Sequence, residues 1–297
     1  MLLTLWFIIT ATFFLMKALP GDPFTEEKGV PKEILRSLHR HYGLDRPLYE
    51  QYFRYLSAVV KGDLGPSFKY KTLSVNDMIR QGFPVSMSLG LEALFLALSI
   101  GLFLGALAAL KHSQWQDHLA MIFAVLGLSI PSFILASLFQ YIFALQLKLF
   151  PIARWESFAH TILPAFSLCM LPTAFIARLT RSSMLETLSQ DYIKTARAKG
   201  LSSLCILYRH ALPNALLPIL AYLGPLIANI LTGSFVVEKI FAIPGMGQWF
   251  VSSIQNRDYT AIMGTTVFYS ALLLVFVFLV DLVSAFIDPR IKLEDRS

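Results

Sequence analysis

Side chains able to carry chemistry are scarce in this sequence, and they do not gather. His39 and His41 share one basic stretch, His112 and His118 flank a short loop, His160 stands alone, and Cys169 and Cys205 lie in separate segments. An integral-membrane hydrolase would need a nucleophile with a base, or a metal cluster. No such set is spelled out. Alternate residues on a helix point in different directions, so His39 and His41 read as solvated surface rather than metal ligands. The cysteines offer neither a disulfide framework nor metal spacing. No Gly-x-x-x-x-Gly-Lys-Ser/Thr loop occurs, so any nucleotide must be bound elsewhere. What remains is a polar stretch, Asp191-Tyr-Ile-Lys-Thr-Ala-Arg-Ala-Lys-Gly200 continuing to Arg209-His-Ala-Leu-Pro-Asn214. Around it Arg181, Lys194, Arg197, Lys199 and Arg209 face only Glu186 and Asp191. Its chemistry is that of a surface to be docked upon.

The elements that must position this stretch are membrane helices. Apolar residues make up 56% of the chain, mean hydropathy is +0.61, and only 15% of residues are charged, outside the range of soluble domains. Uncharged runs cover residues 1–16, 93–110, 119–147, 157–177, 211–237 and 259–280. A helix needs roughly 20 apolar residues to cross a bilayer core, so six spans are expected. The net charge of +6 would hint at nucleic acid in a soluble chain. Here its distribution matters more: Lys111, the five basic residues above, Arg290, Lys292 and Arg296 fall in one set of connections, against Lys148, Arg154, Lys239 and Arg257 in the other. The positive-inside rule then puts both termini in the cytoplasm. The first run lacks a basic n-region and an Ala-x-Ala site, and so reads as an uncleaved helix.

Helix one should end at Leu19-Pro-Gly-Asp-Pro23, after which residues 31–61 read as amphipathic helix packed outside the membrane, with Ile34, Leu35, Leu38 and Tyr42 at helical spacing. Helix two, from about Val85 to Leu110, contains Gly101-Leu-Phe-Leu-Gly105, whose small residues allow close helix approach. Ser129-Ile-Pro131 should break helix three, and Pro164 and Pro172 helix four; helix five carries Pro218 and Pro225. Kinked helices together suggest a bundle around a changing cavity. Polar groups expected to be buried within spans are Glu92, near the outer end of its helix, Gln140, Asn229 and Asp281, near the inner end. The first three are candidates for a substrate pathway. No relay of carboxylates and histidines crosses the bilayer.

Within the polar stretch, Asp191 can cap a short helix that places Tyr192, Ala196 and Lys199 on one face and spreads Lys194, Arg197 and Ala198 over others. Gly200 ends it in the left-handed conformation. Alanine at position 196 implies close approach by another surface. Pro213, after Leu212, sits in the first turn of the next span, which makes a rigid elbow joined directly to helix five.

These residues resemble the EAA loop of binding-protein-dependent ABC importer permeases: Glu-Ala-Ala, three residues, Gly, then nine residues and Ile-x-Leu-Pro. Aligned on Gly200, the chain has Lys194, Thr195 and Ala196 at Glu-Ala-Ala, and His210 at the Ile before Leu212-Pro213. The lysine and the histidine depart from that pattern. Thr-Ala-Arg-Ala-Lys-Gly with Arg-His-Ala-Leu is similar to the oligopeptide, dipeptide and nickel branch. So are Leu19-Pro-Gly-Asp-Pro23, Tyr42-Gly-Leu-Asp-Arg-Pro-Leu48, Gly62-Asp-Leu-Gly65, Val237-Glu-Lys-Ile-Phe241 with Pro244-Gly-Met-Gly247, and Asp288-Pro-Arg-Ile-Lys292.

The resemblance implies an all-α integral membrane protein of the type I ABC importer permease fold. A first helix and extracytoplasmic segment would occupy 1–84, a five-helix core with its coupling loop at about 181–213 would occupy 85–285, and a cytoplasmic tail 286–297. It implies a bacterial inner-membrane subunit with no catalytic residue, no metal and no cofactor of its own. Its partners would be a second homologous permease, two ATPase subunits that bind ATP and Mg, an extracytoplasmic substrate-binding protein and membrane lipid. Nucleic acid would not be one. Coupling falls to Asp191, Tyr192, Lys194, Thr195, Ala196, Arg197, Lys199, Gly200, Leu212 and Pro213. Glu238, Pro244, Gly245 and Gly247 form either an outer gate or docking loop, or a turn between helices. Cargo is expected to be short peptides, with nickel or a metal chelate as the alternative. A transporter or channel acting alone would need intramembrane charge pairs or paired broken helices, and neither is clear.

Overall fold

Ser74 and Asp77 close a reciprocal capping box: the Asp77 amide donates to Ser74 Oγ at 3.1 Å and the Ser74 amide to Asp77 Oδ2 at 3.0 Å. From it runs the longest helix of the structure, a computed structural model that describes residues 1–19, 24, 32–70, 72–231 and 235–287. Among these, every regular element is helical apart from an isolated bridge between Pro66 and Ser74. In chain order they are α1 (Leu2–Ala18), α2 (Lys32–Tyr42), α3 (Leu48–Val60), α4 (Val75–Leu110), α5 (Trp115–Ser129), α6 (Ser132–Phe139), α7 (Ala159–Ser189), α8 (Asp191–Ala198), α9 (Ser203–Ile206), α10 (Leu212–Ala215), α11 (Leu217–Leu231), α12 (Phe235–Ile240), α13 (Met246–Gln255) and α14 (Tyr259–Ile287). π-Helical turns extend α6 over Gln140–Gln146 and link α9 to α10 over Leu207–Ala211. The expected tail beyond residue 287 and most of Leu19-Pro-Gly-Asp-Pro23 lie outside the described residues.

Among the described residues three helices are long and apolar enough to cross a membrane: Val75–Leu110, Ala159–Ser189 and Tyr259–Val283. The number rises to five if each bent pair is one span, Trp115–Ser129 with Ser132–Gln146 bent by 104° and Leu207–Ala215 with Leu217–Ile227 bent by 49°. α1 is a shorter apolar helix. Two expected boundaries are corrected. α4 begins ten residues before Val85 because the Ser74 cap supports a polar first turn, and Pro84 is carried inside it. α7 is unbroken through Pro164 and Pro172; packing on several sides holds its axis where the prolines remove backbone donors. The expected break at Pro131 is present and is a sharp bend.

The chain divides into two compact units. The first comprises residues 1–85 and 245–274. There α3 lies on α1: Phe13 stacks on Tyr55 at 5.8 Å between ring centroids, Thr10 Oγ1 and Tyr52 Oη are 2.8 Å apart, and Lys17 Nζ donates to Gln51 Oε1 at 2.6 Å. Buried Asp258 caps α14 through the Ala261 amide at 3.2 Å and also takes the Ser67 hydroxyl and the Phe68 amide, fixing the loop before α4. Gly65, at φ +91°, is part of that loop, and a Cβ there would lie 2.9 Å from Thr260 Cγ2.

The second unit comprises residues 86–244 and the chain from 275, and α7 is its axis. α5, α6, α10, α11 and α12 all pack on α7. α4 does so through Gly101 and Gly105: an added Cβ would meet Ile176 at 2.9 Å from the first and the Ala177 carbonyl at 2.5 Å from the second. The paired glycines therefore serve helix packing, as small residues do where lipid removes most of the hydrophobic drive.

Candidate functional site

α7 ends where Gln190 turns extended, at φ −67° and ψ 151°, and α8 starts on the next residue. Gln190, not Asp191, holds the capping position, and no side chain caps the helix. Asp191 is instead its first residue, where its carboxylate accepts from Lys194 Nζ at 2.8 Å and still complements the positive end of the helix. Ile193 and Ala196, three apart and so on one face, turn inward against Ile206, Ala211 and Leu188. Ala196 is only 7% exposed, so the close approach its small side chain permits is made by the chain itself. The opposite face carries Asp191, Tyr192, Lys194, Thr195, Arg197 and Lys199, all exposed.

A Schellman motif closes the helix. Gly200, at φ +78°, donates to the Arg197 carbonyl at 2.9 Å, and the Leu201 amide reaches back to the Ala196 carbonyl at 3.3 Å. An added Cβ at Gly200 would meet nothing within 4 Å. The glycine is thus required by its backbone angle rather than by space. The chain then returns through α9 and its π turns, where Leu207 joins Met184, Ala109 and Ala215 in a second buried cluster. Asn214, which the sequence pattern did not single out, donates to Tyr192 Oη at 3.0 Å and to the His210 carbonyl at 2.9 Å, tying α8 to α10. Its place beside Pro213 was the only available signal. Leu212 is half-buried in the second cluster, and Pro213 sits in the first turn of α10. The elbow is not continuous with the following span: the chain bends by 49° before Leu217–Ile227. Pro218 supplies the reason, since its ring cannot tolerate the carbonyl four residues earlier in a straight helix.

Arg181, expected on the same cationic surface, is captured elsewhere. It grips buried Asp117 with both arms, Nε to Oδ1 at 2.6 Å and a terminal nitrogen to Oδ2 at 2.8 Å, while the Ser113 amide adds a bond at 3.0 Å. The N-terminal turn of α5 is thereby clamped to α7 just before α8. Lys194, Arg197, Lys199 and Arg209 remain exposed.

The three pathway candidates are not brought together. Glu92 is half-buried midway along α4, not near its end, because the helix starts before Val85. Gln140 Nε2 donates to the carbonyls of Ile152 at 2.8 Å and Ile240 at 3.2 Å, and so anchors a loop to α12. Asn229 is exposed rather than buried and lines a cavity of about 350 Å³ with Ser132, Pro172, Tyr222, Pro225 and Phe235. Asp281 is exposed too, on an α14 turn that few side chains cover. Glu238 is fully buried and accepts from Ser86 Oγ at 2.8 Å, so it ties α12 to α4 rather than standing in a loop. A second Schellman-type closure ends α12, with Ala242 at φ +50° and the Ile243 amide on the Glu238 carbonyl at 2.8 Å. Pro244 is exposed, Gly245 is the extended residue before α13, and Gly247 is buried in its first turn. Among the described residues no three His, Cys, Asp or Glu side chains gather to hold a metal ion.

Comparison with known proteins meets this geometry. A dipeptide transport system permease protein of Bacillus subtilis is 55% identical over 99% of this chain and 95% of its own length. An oligopeptide transport system permease protein of Haemophilus influenzae is 45% identical over 97% of this chain and 95% of its own. Among solved structures, the inward-facing MetNI methionine ABC transporter gives a TM-score of 0.61 at 17% identity, over 71% of this chain and 96% of that one, a likeness of fold. Residues 1–90 match the family described as the N-terminal part of binding-protein-dependent transport system membrane components. With residues 101–293 matching the inner membrane component itself, the chain belongs to the binding-protein-dependent transport system inner membrane component family.

Proposed function

We propose that this chain is the transmembrane permease subunit of an ATP-driven importer of short peptides, moving its cargo by alternating access. The observation that carries the reading is α8: one face is packed into the chain's own core, while the other is exposed and cationic and carries Tyr192, whose hydroxyl is bonded to Asn214 of α10. Such a helix is a lever with a free side. Its free side, Tyr192, Lys194, Thr195, Arg197 and Lys199, seats in an ATPase subunit, and Ile193, Ala196, Leu212 and Pro213 pass the displacement toward α11. ATP energy then enters as a preference for one of two arrangements of the helices. The peptide cargo follows the names of the relatives, dipeptide and oligopeptide permeases of nearly equal length.

The working assembly in this reading has two homologous permeases, two ATPase subunits holding ATP and Mg, and an extracytoplasmic binding protein. The chain crosses the inner membrane six times with both termini inside, residues 1–84 forming the first helix and an outer segment, 85–285 the core and 286–297 a tail. Asn229 lies on the cargo path; Glu238 and the Pro244-Gly-Met-Gly247 turn control its outer end. The test is uptake of labelled di- and tripeptides, and of nickel, into proteoliposomes holding the assembled transporter. Peptide uptake that needs ATP and is lost in Lys194→Glu/Arg197→Glu, with the ATPase no longer co-purifying, is the expected result. Uptake without ATP, or of nickel in place of peptides, overturns the reading.

A further inference from the structure

The first unit holds a half-open cavity of about 730 Å³, within the range of small-molecule sites, and among the described residues its cationic groups outnumber its carboxylates. Among the described residues three cations, Lys17, Arg46 and Arg54, line it against a single carboxylate, Asp63. That carboxylate already accepts the Gly65 amide at 2.9 Å. Arg46 is shared with Glu50 at 2.5 Å, but Arg54 has no hydrogen-bond or ion-pair partner among the described residues. The two guanidinium groups nevertheless converge. A Cβ on Gly43 would lie 3.0 Å from Arg54 Nη1 and 3.7 Å from Arg46 Nε. Like charges drawn to one point are unfavourable unless an anion lies between them. The Tyr55 hydroxyl, also lining the cavity, is buried with no hydrogen-bond partner among the described residues, an arrangement that folded proteins rarely leave unanswered.

Beside polar His39, His41, Gln51 and Thr260, the wall carries an apolar side made by Phe13, Met16, Phe68 and Met263. The ligand must therefore join anionic oxygens to a hydrocarbon. The setting selects among such molecules. Lys17 ends an α1 that is otherwise uncharged and exposes Phe14 and Leu15 in its last turns, while α3 exposes Tyr49 and Phe53 beside it. A lysine and a belt of aromatic rings at the end of an apolar helix mark the level of lipid headgroups. We propose that this cavity binds the phosphate of an anionic phospholipid. Arg54 and Lys17 pair with its oxygens, the Tyr55 hydroxyl donates to it, and the glycerol and first acyl carbons lie along Phe13 and Met16.

The test does not depend on transport. The full chain is placed in nanodiscs of phosphatidylcholine alone or mixed with phosphatidylglycerol, and retained lipid is measured by native mass spectrometry. Retained phosphatidylglycerol that falls about tenfold in Arg54→Gln and in Lys17→Gln is the expected result, with a smaller loss in Tyr55→Phe, since charged pairs outweigh one neutral hydrogen bond. Arg54 is exposed, so its variant keeps the fold; a thermal midpoint that rises with phosphatidylglycerol in the wild type but not in Arg54→Gln gives an independent reading. Equal retention of the two lipids, or unchanged retention in both cation variants, overturns the proposal. So does displacement of the lipid by inorganic phosphate or by a free tripeptide, which would make the site one for soluble anions.

Discussion

Asn214 donates a hydrogen bond to the Tyr192 hydroxyl across 3.0 Å, and with it the exposed short helix is fastened to the first turn of the element that leads into α11. The two residues are far apart in sequence and on either side of the Gly200 turn. A displacement of one is felt by the other without passing through the chain between them. An exposed neutral hydrogen bond contributes about 0.5–1.5 kcal/mol, small beside the packing of Ile193 and Ala196 but specific in direction.

Tyr192→Phe and Asn214→Leu should each leave the chain inserted and folded while reducing ATP-coupled uptake. Because both remove the same bond, the double variant should lose no more than the worse single one. Additive losses in a double-mutant cycle of uptake rates would show that the pair does not act as a unit.

Removing one member of the Arg181–Asp117 pair should cost more than removing both. Asp117 is 2% exposed, and Arg181→Gln strands its charge, at about 2–4 kcal/mol given that the arginine is itself partly solvated. Asp117→Asn/Arg181→Gln should recover most of that loss. Thermal midpoints of the wild type and the two variants in one detergent decide it.

Enlarging the glycines that α4 and α5 present to α7 should destabilise in the order of their clearances. Gly105→Ala puts a methyl 2.5 Å from the Ala177 carbonyl, whereas Gly127→Ala in α5 meets Met170 and Ala174 at 3.0 and 3.1 Å. We expect about 1–3 kcal/mol for the first and less for the second, read from unfolding midpoints.

Two left-handed positions should respond in opposite senses. Ala242 holds φ +50° without being glycine, so Ala242→Gly should stabilise by up to about 1 kcal/mol. Gly200→Ala should cost a similar amount through strain alone, because its surroundings are open. A Gly200→Asn variant, whose side chain tolerates that conformation, should fall between wild type and alanine.

Much of this architecture is written locally. Uncharged runs fixed which segments form apolar helices, Pro131 where one of them turns, and Gly200 and Pro213 the two ends of the elbow, because each rule acts within a few residues. The same local rules misjudged Pro164 and Pro172, whose helix stays intact with α4, α5, α6, α10, α11 and α12 packed along it. They also left open what each face would meet. That Ala196 turns inward while Tyr192 and Lys199 remain outside, that Arg181 leaves the cationic surface for Asp117, and that Glu238 is buried against Ser86 were decided by the tertiary structure alone. Periodicity tells which side chains share a stripe, but a partner 64 or 152 residues away is chosen by how the helices pack.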